Sequence, residues 1–238
     1  MKVITWNMQG ASDSDTSKWR DAAKFFFVSQ KADVVCLQES GWPLASEGFD
    51  EVYAHEIEPF PRPVRFLGSP PDIEYVNFIW HPFSDRYDMA IYVLWVRTDD
   101  GANRVNLSIM SKTRPSYFLY IEPVTVKDNF STRPAIGIGD GIRNIFCIHA
   151  NSKTHGADAP KLIETINSRY ASWYAAGDFN RDPEPPWNRE IGFIWPPDRP
   201  THNSGGRLDY MVAFAGRRNF GTALSMPVSD HDAVEFVF

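Results

Sequence analysis

Hydrophobic residues in this chain gather in short runs separated by proline, glycine and polar clusters, a pattern that predicts strands more often than helices. The runs are residues 3–6, 34–37, 76–80, 89–96, 105–110, 145–148, 172–175, 208–212 and 233–238. Two segments have helical spacing instead. In 16–30, Trp19, Ala22, Ala23, Phe26 and Phe27 fall near one face, and in 158–170 Leu162, Ile163 and Ile166 share one. Each lies between strand runs, which suits α/β layering with sheets packed together and helices outside. Loops rich in proline and glycine are expected at 41–48, 59–71 and 182–206, and Gly137, Gly139 and Gly141 read as a hairpin turn. No internal repeat or linker is visible, so one domain over 1–238 is expected.

Composition agrees with a globular chain: 238 residues, 43% hydrophobic and 23% charged. A formal charge of −6 argues against coating nucleic acid by bulk electrostatics, though it leaves room for a local basic groove. The two cysteines, Cys36 and Cys147, sit inside apolar runs and are expected to be buried thiols. Without a CxxC pair, structural zinc is not expected. No apolar run approaches the roughly 20 residues that cross a bilayer. Residues 1–10 contain Asn7 and Gln9 where a secretion signal would be continuously apolar, which fits an intracellular chain or one whose signal was removed.

Polar residues able to bind metal or move protons recur at the ends of these runs. Asn7 follows 3–6, Gln38 and Glu39 follow 34–37, His149 follows 145–148, and Asp178 and Asn180 follow Gly177. Near the C-terminus Asp230 and His231 precede the last run. Each piece alone is ordinary, since Asp-x-Asn is a common Asx turn and Ser-Asp a common cap. Together they predict a rim where Asn7, Glu39, Asp178, Asn180 and Asp230 form a hard oxygen set suited to Mg²⁺ or Mn²⁺. His149 and His231 stand beside it as proton-transfer groups. His155 and His202 are read as surface residues.

The order Trp6-Asn7, Gln38-Glu39, His149, Gly177-Asp178-Phe179-Asn180, Leu208-Asp209-Tyr210 and Ser229-Asp230-His231 resembles the endonuclease/exonuclease/phosphatase superfamily, which includes deoxyribonuclease I. Within it, residues 5–10, 101–107, 133–138, 177–181 and 200–205 are similar to the B subunits of cytolethal distending toxins. The resemblance implies a four-layer sandwich of two packed mixed β-sheets flanked by helices, with the site at the sheet edges. It makes Glu39 the principal metal ligand, assisted by Asn7, Asp178, Asn180 and Asp230. It pairs His231 with Asp209, sets His149 against the scissile phosphate, and gives Arg104 and Arg133 phosphate contacts.

The expected activity is Mg²⁺-dependent nicking of DNA with low sequence specificity, as the catalytic subunit of a genotoxin. Phosphoinositide phosphatase activity at the same metal site is the alternative. A groove lined by Arg104, Lys112, Arg114, Arg133 and Lys153 would favour the polymer, and a closed basic pocket the headgroup. A secreted toxin subunit delivered by carrier subunits into a target cell, and there to the nucleus, is the implied setting, with Trp42, Trp187 and Trp195 as docking elements. Asp88, at the entry to the 89–96 run, is expected to hydrogen-bond His149 and raise its pKa.

Overall fold

The apolar runs are continuous rather than alternating, so a strand built from one has no polar face to give to water and must be covered on both sides. That constraint shapes the computed structural model, which describes residues 1–10, 18–19, 24–41, 57–82, 89–98, 105–126, 131–183, 191–215 and 219–238. Strands are numbered in chain order. The first sheet contains β1 (Lys2–Asn7), β2 (Val34–Gln38), β3 (Ile57–Glu58), β4 (Tyr75–Trp80), β5 (Ile91–Val96), β6 (Leu107–Ser111), β13 (Thr222–Leu224) and β14 (Ala233–Val237). Its strand order is β13-β14-β1-β2-β6-β5-β4-β3. The second contains β7 (Tyr117–Ile121), β8 (Ala135–Gly139), β9 (Asn144–His149), β10 (Trp173–Asp178), β11 (Phe193–Trp195) and β12 (Asp209–Ala213), in the order β11-β12-β10-β9-β8-β7. Each is antiparallel apart from one parallel pair, β1 with β2 and β9 with β10. Both sheets are therefore mixed.

Alternation along β1 and β2 divides the buried residues between two cores. Val3, Val34 and Cys36 point to the second sheet and pack with Phe146, Cys147 and Ile148. Ile4, Trp6, Val35 and Leu37 point the other way and pack with Trp19, Phe26 and Phe27. On the far side of the second sheet, α1 (Ala159–Arg169) covers the strands with Leu162, Ile163 and Ile166. The result is four layers, as expected. Each fully buried aliphatic or aromatic side chain contributes about 1.5–3 kcal/mol by leaving water. Cys36 and Cys147 are both buried free thiols within the inter-sheet core.

The structure corrects several readings. Of the helix expected at 16–30, the described part contains a π-helical turn, Phe25–Ser29, in which Gln30 N–H donates to the Phe25 carbonyl. The consecutive Phe26 and Phe27 are both buried there, and a widened turn can direct two neighbouring side chains to one core. Five strands were not foreseen: β3, β7, β8, β11 and β13. Trp195 belongs to β11 and is 4% exposed, so it is no docking element. Trp42 and Trp187 lie outside the described residues.

The glycine turn is also revised. Gly137 and Gly139 lie within β8, and only Gly141 occupies the turn to β9. Gly139 pairs with Tyr117 across the sheet, and a Cβ built on it would fall 2.0 Å from the Tyr117 ring. The ring lies over the glycine, fixed by a 3.1 Å bond from its hydroxyl to Asn144 Oδ1. Gly139→Ala is expected to cost about 1–3 kcal/mol through overpacking, and much less in a Tyr117→Ala background. Urea denaturation of the two singles and the double variant measures the coupling, and equal costs in both backgrounds would refute the steric account.

Candidate active site

Strand register assembles the site. In the second sheet His149 at the end of β9 pairs with Asp178 at the end of β10, which pairs in turn with Asp209 at the start of β12. A row across three strands thus carries an imidazole and two carboxylates. In the first sheet Asn7 pairs with Gln38, so Glu39 emerges beside it. β14 runs antiparallel to β1, which brings the preceding Asp230 and His231 to the same end. Packing one sheet on the other merges these ends into one rim.

Short hydrogen bonds stitch that rim. Gln9 N–H donates to Asn7 Oδ1 at 2.9 Å, Asp230 N–H to Gln9 Oε1 at 3.0 Å, and the Ser229 hydroxyl to the Asn7 carbonyl at 2.8 Å. Trp6 Nε1–H holds the His231 carbonyl at 3.2 Å. Backbone strain collects here too, since Gln9, Glu39 and Asn180 have φ of 55°, 50° and 49°. Non-glycine residues adopt the left-handed region rarely, and such outliers cluster where function over-determines geometry.

At the centre stands Asp178, 1% exposed. Its Oδ1 accepts from Asn180 N–H at 2.7 Å, and its Oδ2 from the side-chain amides of Asn7 and Asn180 at 2.9 and 3.1 Å. Two imidazoles face that same Oδ2, His149 Nε2 at 3.6 Å and His231 Nε2 at 3.9 Å. Behind His231, Nδ1 contacts Asp209 Oδ2 at 2.8 Å. Glu39 Oε1 lies 3.9 Å from His149 Nε2, and Asp230 Oδ1 lies 3.9 Å from His231 Nε2.

Burial pushes the two histidines apart in basicity. Burial alone would lower the pKa of His231, but the charge and hydrogen bond of Asp209, with Asp178 and Asp230 nearby, raise it to about 9. His149 is driven well below its ordinary value by burial, then by Arg133 and His231. The described surroundings thus oppose the imidazolium expected for His149. Burial and the charge of Asp209 raise Asp178 to about 7, against the pull of His231, the Asn180 N–H and the Asn7 amide.

The donor set fits a hard divalent cation. Asp230 Oδ1 is buried without a hydrogen-bond partner among the described residues, and a cation would offset the burial and the Asp209 charge that raise Asp178. Asn7 Oδ1, though bonded to Gln9, is a carbonyl oxygen with two lone pairs.

The endonuclease/exonuclease/phosphatase family model matches residues 4–231. The chain belongs to that family. A homolog of the cytolethal distending toxin B chain from Salmonella typhi is 32% identical, over 99% of this chain and 88% of the relative. The corresponding B chain of the Escherichia coli cytolethal distending toxin is 29% identical, over 89% and 78% of the respective chains. A chain in the crystal structure of the Haemophilus ducreyi cytolethal distending toxin superposes with a TM-score of 0.77 at 30% identity, covering 99% of this chain and 97% of that one. These findings agree with the toxin resemblance read from the sequence, and the two mixed sheets are those of the deoxyribonuclease I-like fold.

For this family member, the structure brings together Asn7, Glu39, His149, Asp178, Asn180, Asp209, Asp230 and His231. Arg133 adjoins them, because its Nη1 and the Asn180 amide both donate to the Ala150 carbonyl, at 3.3 and 2.9 Å. Two residues expected to line a basic groove, Lys112 and Arg114, lie away from the rim. β6 runs antiparallel to β2, so Lys112 and Arg114 follow its far end, where Lys112 N–H donates to the Asp33 carbonyl and Arg114 reaches the Arg62 carbonyl. Asp88 and Arg104 lie outside the described residues, and His149 Nδ1 has no hydrogen-bond partner among those described.

His202, read as a surface residue, is at the rim. It bridges to His231 across an antiparallel pair, its ring centroid lies 4.6 Å from that of His231, and its Nε2 is 3.5 Å from Asp230 Oδ2. Its place within the 200–205 block and its closeness to Asp209 in sequence hinted at this.

Asp209→Asn is expected to bring the His231 pKa down from about 9, with the ring resonances titrating at lower pH by NMR. Because folding raises this pKa, the pair's stabilisation is complete below about pH 6.5. It is lost as pH rises through about 9. The variant should lack that alkaline decline in unfolding free energy, and an unchanged His231 titration would sink the pairing.

Proposed function

We propose that this chain is a Mg²⁺-dependent phosphodiesterase that nicks DNA with little sequence preference, as the catalytic subunit of a cytolethal distending type genotoxin. The observation that carries this reading is the convergence of His149 Nε2 and His231 Nε2 on Asp178 Oδ2, with Asp209 behind His231. Two imidazoles within 4 Å of one carboxylate oxygen suit displacement at phosphorus, one partner for the entering oxygen and one for the phosphate.

His231 acts as general base. Asp209 fixes its tautomer through Nδ1, and a cation held by Asp178 and Asp230 would offset two of the charges that raise the His231 pKa to about 9. That leaves a neutral Nε2 to take a proton from water, whose oxygen attacks phosphorus as the bond to the leaving oxygen breaks. His149 sets its ring edge against a non-bridging phosphate oxygen. Asn7 and Asn180 hold Asp178 in register with both histidines. Glu39, Asp230 and Asp178 would hold Mg²⁺, which supplies Lewis-acid stabilisation of charge on the phosphate when bound. Arg133 contacts the substrate backbone. A toxin subunit of this kind acts inside a target cell, in the nucleus, after delivery by separate carrier subunits.

Plasmid relaxation with Mg²⁺ and with EDTA, run beside phosphate release from a phosphoinositide, tests the reading. Nicking that EDTA abolishes is expected. His231→Ala should lower it roughly 100- to 10,000-fold, the worth of a general base, with the circular dichroism spectrum retained. A folded His231→Ala protein with near-normal nicking would overturn the assignment. Phosphate release without nicking would transfer the site to phosphoinositides.

A further inference from the structure

Beside Asn180 lies a cavity of about 530 Å³, its walls including His155, Arg181, Asp182 and Ser204. None of these four side chains has a part in the mechanism above. Residues Ser152–Thr154 form a single 3₁₀ turn after β9, and His155 and Gly156 follow with φ of 50° and 65°. A Cβ on Gly156 would fall 2.1 Å from the Phe179 carbonyl oxygen and 3.1 Å from Arg181 Cβ. Glycine is therefore what lets this turn rest directly on the exit of β10. The same contact fixes Arg181, whose Nη1 donates to the Gly156 carbonyl at 3.5 Å. A guanidinium carries five N–H donors in a planar fork, enough to hold that carbonyl and an anion together.

We propose that this cavity is a subsite for the phosphate adjacent to the scissile one in a polynucleotide, with Arg181 as its main contact and His155 beside it. The inference rests on the phosphodiesterase reading of the neighbouring site. Asn180 belongs to both places, since it lines the cavity and donates to Asp178 Oδ2. A strand whose scissile phosphate faces Asp178 carries its next phosphate past Asn180 toward Arg181. Asp182 is the acid among the lining residues. Its Oδ1 accepts from Arg207 N–H at 3.0 Å, and its charge opposes the anion.

A contact of this kind is used only by a substrate with a second phosphate, so it separates polymers from small diesters. Binding of a fluorescein-labelled DNA duplex, followed by anisotropy in EDTA, reads the subsite without turnover. Arg181→Gln should weaken that binding about tenfold, as expected for one charged hydrogen-bonded contact, and lower the salt slope by about 0.9. Asp182→Asn should tighten it. Hydrolysis of bis-para-nitrophenyl phosphate with Mg²⁺, which offers no second phosphate, should stay at the wild-type rate in both variants. Unchanged duplex binding by Arg181→Gln, or an equal loss on the small diester, overturns the subsite. Arg181-dependent, salt-sensitive binding by a wild-type protein that cleaves neither substrate would overturn the phosphodiesterase reading and leave the subsite standing.

Discussion

A carboxylate withdrawn from water must be compensated on every side, and Asp178 is compensated by nearly everything that defines this site. Three hydrogen bonds from Asn7 and Asn180 satisfy its oxygens, and two imidazoles stand within 4 Å of one of them. Its donors come from both sheets, so the carboxylate fixes the sheet packing at the same time as it fixes the chemistry. Asn7 at the end of β1 and His231 ahead of β14 give the first sheet its polar hold on the second at this point. The raised pKa of Asp178 shows that compensation is incomplete, and a divalent cation would complete it.

That arrangement follows from how the sheets are covered. β1, β2, β9 and β10 are buried on both faces, which leaves polar groups little room except at strand ends. The parallel pairs bring the C-terminal ends of neighbouring strands to one edge, where ligands bind in open sheets. Positive φ at Gln9, Glu39 and Asn180 turns the chain sharply as it leaves this edge. Side chains that continuing strands would separate are thereby kept together.

Electrostatics divides the labour between two histidines of the same chemistry. His231 has a carboxylate behind its ring and others in front, and gains basicity. His149 is more deeply buried, feels Arg133 and His231, and loses it. Opposite shifts in one site are a pattern that separates acid, base and anchoring roles. The acidic charge of the whole chain does not prevent positive groups from gathering locally, as Arg133 and Arg181 do around Ala150 and Gly156.

Continuous apolar runs, several of them bounded by a metal- or proton-competent residue, were enough to read from sequence the strands that carry the site and the α/β class, while Asp209 entered only through the family resemblance. Asn7, His149 and Asp178 are last residues of their strands, Glu39, Asn180, Asp230 and His231 flank strands, and Asp209 opens β12, so the limits of the runs place these groups near strand ends. The sequence could not reveal β8, whose alternating glycines look like a turn until Tyr117 is seen over Gly139, because cross-strand packing is nonlocal. It could not separate Lys112 and Arg114 from the rim, since sequence distance says nothing of which end of an antiparallel strand a residue follows. His202 and Arg181 acquired their neighbours only through contacts with segments remote in the chain, His231 and Gly156. Tertiary structure also decided the opposite pKa shifts of His149 and His231, which depend on burial and on charges brought close by folding.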